Sequence, residues 1–178
     1  MRAGRGAEGE GTHVTADSQP QTLVTREMID RKGVWEQEDT SYPISDSDIR
    51  RWSIAAYWPE TPPREFWDAE FAKTTAAGGI VAPPDFNPFA WPPVREVPED
   101  RRSATAQGVG QRRMNGGQVD TFGVPMRPGD VIRTRTRLTH WEERETRLGH
   151  TMFMYEETEW RNQRDEVVKT RVKTRIRF

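Results

Sequence analysis

Cysteine is absent from this sequence of 178 residues, and histidine is scarce, with three in the whole chain. Without cysteine there can be no disulfides, no thiolate metal ligands and no cysteine nucleophile. Two of the histidines, His140 and His150, have no evident third ligand, which makes a poor metal site. The missing cysteines fit a reducing compartment, and we expect a cytoplasmic protein that holds no metal.

Long hydrophobic runs and an excess of one charge are also missing. No segment approaches the roughly 20 apolar residues of a membrane-spanning helix, and residues 1–20 lack the apolar stretch of a signal peptide. With 27 Lys and Arg against 28 Asp and Glu, the formal net charge is −1. The chain therefore has no overall basic field that would attract nucleic acid or an anionic membrane.

Apolar residues are few for a self-sufficient globular protein, at 33% of the chain with a mean hydropathy of −0.92. Seven Trp and seven Phe are nevertheless too many for a disordered chain. This combination predicts a folded domain that shares part of its core with a partner. We expect a disordered leader over residues 1–20 and a single domain over residues 21–178.

The first half of the domain carries helical signals and a proline-rich loop. A short helix is predicted within residues 21–34, a clearer one begins at residue 45 or 46 and ends at Pro59, and one of about two turns lies within residues 62–79. The buried stripe of the clearer helix is predicted to comprise Ile49, Trp52, Ile54, Ala55 and Ala56. Residues 80–98 contain too much proline for a long helix. We expect this loop to bury Phe86, Phe89 and Trp91.

The last fifty residues alternate apolar and charged side chains, as β-strands do. Three runs, at 131–141, 150–160 and 166–178, predict an antiparallel meander. An odd hairpin loop before the last run predicts that Glu159 faces Lys169 and Glu157 faces Arg171, a solvent-exposed charge ladder. Binding of an anionic ligand, such as a CoA phosphate, by part of the basic row stays open. Nucleic acid is disfavoured because no aromatic residues are interleaved with that row.

Three phrases carry a resemblance to a known family: GGIVAPP at 78–84, MNGGQVDTFGVPMRPGD at 114–130, and the closing stretch 149–178. They resemble the MaoC-like acyl dehydratases, specifically the dehydratase N-terminal type, from about residue 42 to the end of the sequence. The resemblance implies an α+β hot-dog fold, in which a curved antiparallel sheet wraps round a short helix, here interrupted by proline. Helices, an irregular loop and then a long meander agree with an α+β order.

The resemblance also implies chemistry on acyl thioesters of CoA or carrier protein, namely hydration of 2-enoyl or dehydration of 3-hydroxyacyl groups. Catalytic members use an Asp and a His about five residues apart for the proton transfers. This sequence departs from that pattern, because WPETPPREFWDAEFA at 58–72 contains no histidine and Trp67 or Phe66 falls near its place. Glu60 lies near the position of the Asp, and Asp68 matches an acid of the following helix, so these two are the catalytic candidates.

Loss of the dyad favours a noncatalytic half that pairs with a catalytic hot-dog subunit and completes its acyl tunnel. The alternatives are a self-sufficient homodimeric hydratase or thioesterase that uses Glu60 or Asp68, and an acyl-CoA-binding protein without chemistry. No cofactor is expected beyond the CoA or carrier-protein handle of the substrate. Candidate substrate-binding residues, which core packing or a turn explains equally well, are Trp67, Ile80, Val81, Phe86, Phe89, Trp91, Asn115 and Gly116.

Overall fold

The structure, a computed structural model, describes residues 22–92 and 110–178. The predicted leader lies outside the described residues. Three short helices, a 3₁₀ turn and five strands follow one another along the chain. They are α1 (Arg26–Arg31), β1 (Glu36–Thr40), α2 (Asp46–Tyr57), the 3₁₀ turn Arg64–Phe66, α3 (Ala69–Lys73), β2 (Arg113–Phe122), β3 (Arg133–Thr146), β4 (Gly149–Arg161) and β5 (Val167–Arg177).

Helix α2 starts where the sequence predicts because Ser45 and Asp48 form a capping box. Ser45 Oγ accepts a hydrogen bond from the backbone N of Asp48 at 3.1 Å, and the Asp48 carboxylate accepts one from the backbone N of Ser45 at 3.3 Å. The helix ends at Tyr57, two residues before Pro59, whose ring cannot be placed in a helix interior.

The buried stripe of α2 is narrower than predicted. Ile49 and Ser53 are buried and Trp52 packs against the core, but Ile54 is half exposed. The predicted burial of Ile54 is therefore wrong, and so is that of Ala55 and Ala56, which are exposed. One face of α2 covers the sheet while the other remains at the surface.

The helix predicted within residues 62–79 is two shorter pieces, a 3₁₀ turn and α3. Asp68 separates them, because its side chain accepts from the backbone N of Phe71 and so acts as the N-cap of α3. The following loop is irregular over the described residues 80–92, as the prolines predict. Phe86 is buried in it and Phe89 half buried, but Trp91 is 52% exposed, so its predicted burial is wrong.

The five strands form one antiparallel sheet in the order β1-β3-β4-β5-β2. The predicted meander is confirmed as β3, β4 and β5. Strand β1 is not predicted by the sequence. The stretch QVDTF at 118–122, between glycines, predicts a short strand, and β2 is longer than this. Within the described residues β1 and β2 are the two edge strands.

The hairpin between β4 and β5 has the predicted loop but not the predicted register. The backbone N of Asn162 donates to the carbonyl of Glu166 at 3.0 Å, so these two residues face each other as expected. Arg161 then pairs with Val167 and Trp160 with Lys169, which leaves Val168 as an extra residue in a β-bulge. The bulge shifts every later pair by one residue.

The shift changes which residues share a face, since side chains alternate along a strand. Glu159 faces Thr170 and Glu157 faces Val172, so the predicted pairs with Lys169 and Arg171 are wrong. The two glutamates pair instead with β3, where Arg135 lies 2.9 Å from Glu159 and Arg137 lies 2.6 Å from Glu157. An acidic β4 therefore lies beside a basic β3.

The basic row of β5 lies on the face of the sheet that carries the core. Lys169 is directly opposite Trp160, which packs against the core, and its Nζ is 4.7 Å from the centre of the Trp160 ring. Arg171, two residues on, pairs with Asp120 of β2 at 2.6 Å. Core side chains cover one end of this face: Ile44, Ile49, Phe66, Val81, Ala82, Phe86, Met126, Ile132 and Val168.

Candidate functional site

Glu60, the first catalytic candidate, lies in the turn after α2. Its backbone N donates to the carbonyl of Tyr57 at 2.7 Å, which closes the turn, and its side chain is exposed to solvent. Catalytic acids and bases usually occupy enclosed positions where burial and neighbours tune them. The turn gives Glu60 no such enclosure.

The carboxylate of Asp68, the second candidate, is engaged in hydrogen bonds with neighbouring residues. One carboxylate oxygen accepts from the backbone N of Phe71 at 3.0 Å, and the other accepts from Arg64 at 2.6 Å. The hydrogen bond from Phe71 and then that from Arg64 lower the pKa of Asp68 below its usual value. Asp68 is therefore held as a carboxylate that caps α3, and no hydrogen bond joins it to Glu60 within the described residues.

The histidines do not complete a dyad in the described part of the chain. His140 is exposed on β3, where its ring stacks on Tyr155 with centroids 4.1 Å apart. His150 on β4 bonds to two carboxylates, Glu145 at 2.9 Å and Glu143 at 3.3 Å. His13 lies outside the described residues. Among residues 22–92 and 110–178, no group of three or more potential ligands could hold a metal ion.

His150 has a structural role that depends on pH. Glu143, besides meeting His150, accepts hydrogen bonds from Thr22 Oγ1 at 2.7 Å and from the backbone N of Leu23 at 2.5 Å. The bond to Glu145, followed by that to Glu143, raises the pKa of His150 above its usual value of 6.5. Because the folded pKa is raised, the stabilisation is fully present below pH 6.5 and disappears as the pH rises through the folded pKa.

We therefore expect His150→Gln to lower Tm at about pH 6 and to have less effect at about pH 8.5. Thermal unfolding of the wild type and the variant at both pH values measures this. His140→Gln is the matched control, since the His140 ring stacks on Tyr155 and meets no carboxylate within the described residues. A Tm difference for His150→Gln that is the same at both pH values would contradict the assignment.

Most of the apolar candidates belong to the core. Val81 and Phe86 are buried in it, and Ile80 and Phe89 pack against it. The two tryptophans are at the surface. Trp67 is 43% exposed and donates from Nε1 to the carbonyl of Pro62 at 3.0 Å, while Trp91 packs edge-on against Trp52 with centroids 5.9 Å apart.

Asn115 and Gly116 lie elsewhere, on edge strand β2. A Cβ on Gly116 would come within 2.9 Å of Thr174 Cγ2 and 3.1 Å of Ile176. The glycine is therefore explained by close approach to the side chains of β5. Asn115 lines a cavity of about 620 Å³ between α1, the start of β2, the middle of β4 and the C-terminal half of β5. The structure thus separates the candidates: most lie near α2 and α3, whereas Asn115 and Gly116 lie on β2, where only Asn115 lines the cavity.

The sequence model of one protein family, the "FAS1-like, dehydratase domain region", matches residues 31–171 of this chain. The chain belongs to this family. It is a MaoC-like hot-dog dehydratase domain, as the sequence resemblance implied. Comparison with curated protein sequences found no significant match.

Solved structures with the same fold support the assignment. The ChsH1–ChsH2 complex from Mycobacterium tuberculosis gives a TM-score of 0.64 at 18% identity, covering 82% of this chain and 84% of that one. A MaoC-like dehydratase from Rhodospirillum rubrum gives 0.54 at 17% identity, covering 80% and 90%. The C-terminally truncated HadBC complex of Mycobacterium tuberculosis, a 3R-hydroxyacyl-ACP dehydratase, gives 0.53 at 19% identity, covering 80% and 93%. At these identities the likeness shows the α+β hot-dog fold.

The cavity of this MaoC-like domain is the feature that sequence reasoning missed. Its wall combines α1 with strand residues more than eighty positions away along the chain, such as Arg113 and Lys173. The alternating basic residues of β5 were the available signal. The predicted register assigned them to the solvent face, whereas the bulge at Val168 turns them toward the cavity.

None of the helices in the described residues has the length and apolar character needed to span a bilayer.

Proposed function

We propose that this MaoC-like domain is the noncatalytic half of an enoyl-thioester hydratase or 3-hydroxyacyl-thioester dehydratase. The observation that carries the proposal is the state of the segment 58–72, where catalytic relatives of this type are expected to have their Asp and His. That segment contains no histidine, its Glu60 is exposed, and its Asp68 caps α3 and binds Arg64. Water addition to an enoyl thioester needs a positioned acid and base.

The partner in this proposal is a second, catalytic hot-dog subunit that supplies the acid and base. Edge strand β2 supports it, because Met114, Val119 and Phe122 are exposed along its ten residues. Exposed apolar side chains on a long unpaired edge are typical of a surface that another strand covers. Two of the structures with the same fold, ChsH1–ChsH2 and HadBC, are themselves complexes, which supports pairing of this kind.

The substrate in this proposal is an acyl thioester of CoA or carrier protein, and no other cofactor takes part. The cavity of about 620 Å³ supports this, since ligand sites of small molecules typically measure about 300–1,000 Å³. This chain contributes a wall for the acyl group, while the partner carries out the proton transfers. The candidates that belong to the core stabilise the fold by packing.

We expect the purified chain alone not to hydrate crotonyl-CoA or a longer enoyl-CoA, and to do so with a co-purifying MaoC-like subunit. Loss of enoyl absorbance measures the rate. Glu60→Gln in this chain should leave the rate of the complex unchanged, whereas replacing the Asp or His of the partner should lower it at least about 100-fold. Turnover by the chain alone that Glu60→Gln abolishes would contradict the proposal and make Glu60 the catalytic base.

A further inference from the structure

We propose that the cavity between α1, the start of β2, the middle of β4 and the C-terminal half of β5 binds an amphiphilic anion. Its apolar chain lies on the apolar floor of the cavity, and its carboxylate or phosphate lies between Arg113 and Arg177. The inference rests on the proposed function, because it states which class of acyl thioester the cavity accepts. It goes further in placing a negative group of that ligand, on the acyl chain or on its handle, between two particular arginines.

The charges on the cavity wall do not balance. Five cationic side chains line it, namely Arg31, Arg113, Lys173, Arg175 and Arg177, against two acidic ones, Glu27 and Glu156. Both acids are already paired, Glu27 with Arg31 at 2.9 Å and Glu156 with Arg175 at 2.7 Å. Within the described residues the other three cations have no carboxylate partner. The wall therefore carries an excess of positive charge.

Two of these three cations stand directly opposite each other. Arg113 of β2 and Arg177 of β5 are partners in the strand register, and both line the cavity. Side chains at directly opposite positions are about 5 Å apart, and like charges there destabilise the sheet. Arg177 Nε donates to the carbonyl of Gly110 at 3.1 Å, which leaves its two terminal nitrogens for a ligand. A carboxylate or phosphate between the two guanidinium groups would offset their repulsion and accept hydrogen bonds from both.

The floor beside these charges is apolar. It consists of Met28 of α1, Leu138 of β3 and Met154 of β4, and the last two lie on the same face of the sheet as Lys173 and Arg177. Methionine side chains are unbranched and adapt to irregular ligand shapes. An inorganic anion alone would leave this floor in water, whereas an anion attached to an alkyl chain would cover it. The combination therefore selects an acyl or alkyl chain that carries a negative group.

Binding of small probes to the full chain, measured by calorimetry, tests the inference without a catalytic partner. Octanoate and octyl phosphate are expected to bind, and octanamide, which has the same chain without the charge, at least about tenfold more weakly. Arg113→Met and Arg177→Met should each weaken octanoate binding at least about tenfold. Arg147→Met is the matched control, since Arg147 is exposed in the β3–β4 turn outside the cavity, and it should have no effect.

A thermal scan separates binding from folding. Removing one of two opposed like charges should leave the Tm of ligand-free Arg113→Met equal to or above that of the wild type, although its binding is weaker. Equal binding of octanoate and octanamide would overturn the inference. So would an Arg147→Met variant that loses as much octanoate affinity as Arg113→Met.

Free CoA distinguishes the two sources of the anion. If CoA competes with octyl phosphate for the wild type but not for Arg113→Met, the anion is a phosphate of the thioester handle. If octanoate binds and CoA does not displace it, the anion is a carboxylate on the acyl chain. Both results support an anion site. Hydration of crotonyl-CoA, whose acyl group is uncharged, by the complex tests the proposed function separately. The binding assays can therefore fail while hydration is observed, and hydration can fail while the anion binds.

Discussion

Phe86→Ala is expected to lower the free energy of unfolding by about 3–5 kcal/mol. Phe86 is 1% exposed and packs edge-on against Trp52, with ring centroids 5.6 Å apart. It holds the proline-rich loop against α2, so its removal leaves a cavity where helix, loop and sheet meet. Aromatic pairs of this geometry add stability beyond the area that they bury.

Urea unfolding of the full chain measures the effect as a change in the midpoint at constant slope. Phe122→Ala is the matched control, because it makes the same substitution at a side chain that is 51% exposed on β2. The control should cost about 1 kcal/mol or less. Equal losses for the two variants would show that the loop does not anchor the core through Phe86.

The burial of Phe86 could be predicted from sequence, but the same reasoning fails for Trp91, which also lies among prolines and is 52% exposed. The three strands of the meander could be predicted, since alternation with a period of two persists over their whole length. Strand β1 could not be predicted in this way. Its sequence, EQEDT, is entirely polar, and it becomes a strand by hydrogen bonding to the edge of β3.

The site was harder to predict than the fold. Loss of the histidine is visible in the sequence. The structure adds that the Asp68 carboxylate already accepts hydrogen bonds from the backbone N of Phe71 in α3 and from Arg64. The cavity depends on a β-bulge at Val168. The bulge cannot be predicted from the residue type, because valine is also common in regular strands. The extra residue moves the basic side chains of β5 from the solvent-exposed face, which the sequence predicts, to the face that lines the cavity.

The two edges of the sheet differ in a way that indicates where the proposed partner would bind. Strand β1 has five residues, including Glu36, Glu38 and Asp39, and short charged edges resist pairing with another strand. Strand β2 has ten residues and exposes Val119 to 68%. A partner that extends the sheet would therefore add to β2.

Val119→Lys is accordingly expected to weaken assembly with the proposed catalytic subunit at least about tenfold, and the hydration proposed to depend on that subunit with it. The lysine places a charge where a partner strand would bury an apolar side chain, while the fold of the free chain should be kept because the position is exposed. Size-exclusion chromatography with light scattering and the hydration assay measure both effects. Val34→Lys makes the same change at a residue that is 51% exposed next to α1, and it should alter neither. A complex that survives Val119→Lys with full activity would mean that the partner does not bury the side chain at this position.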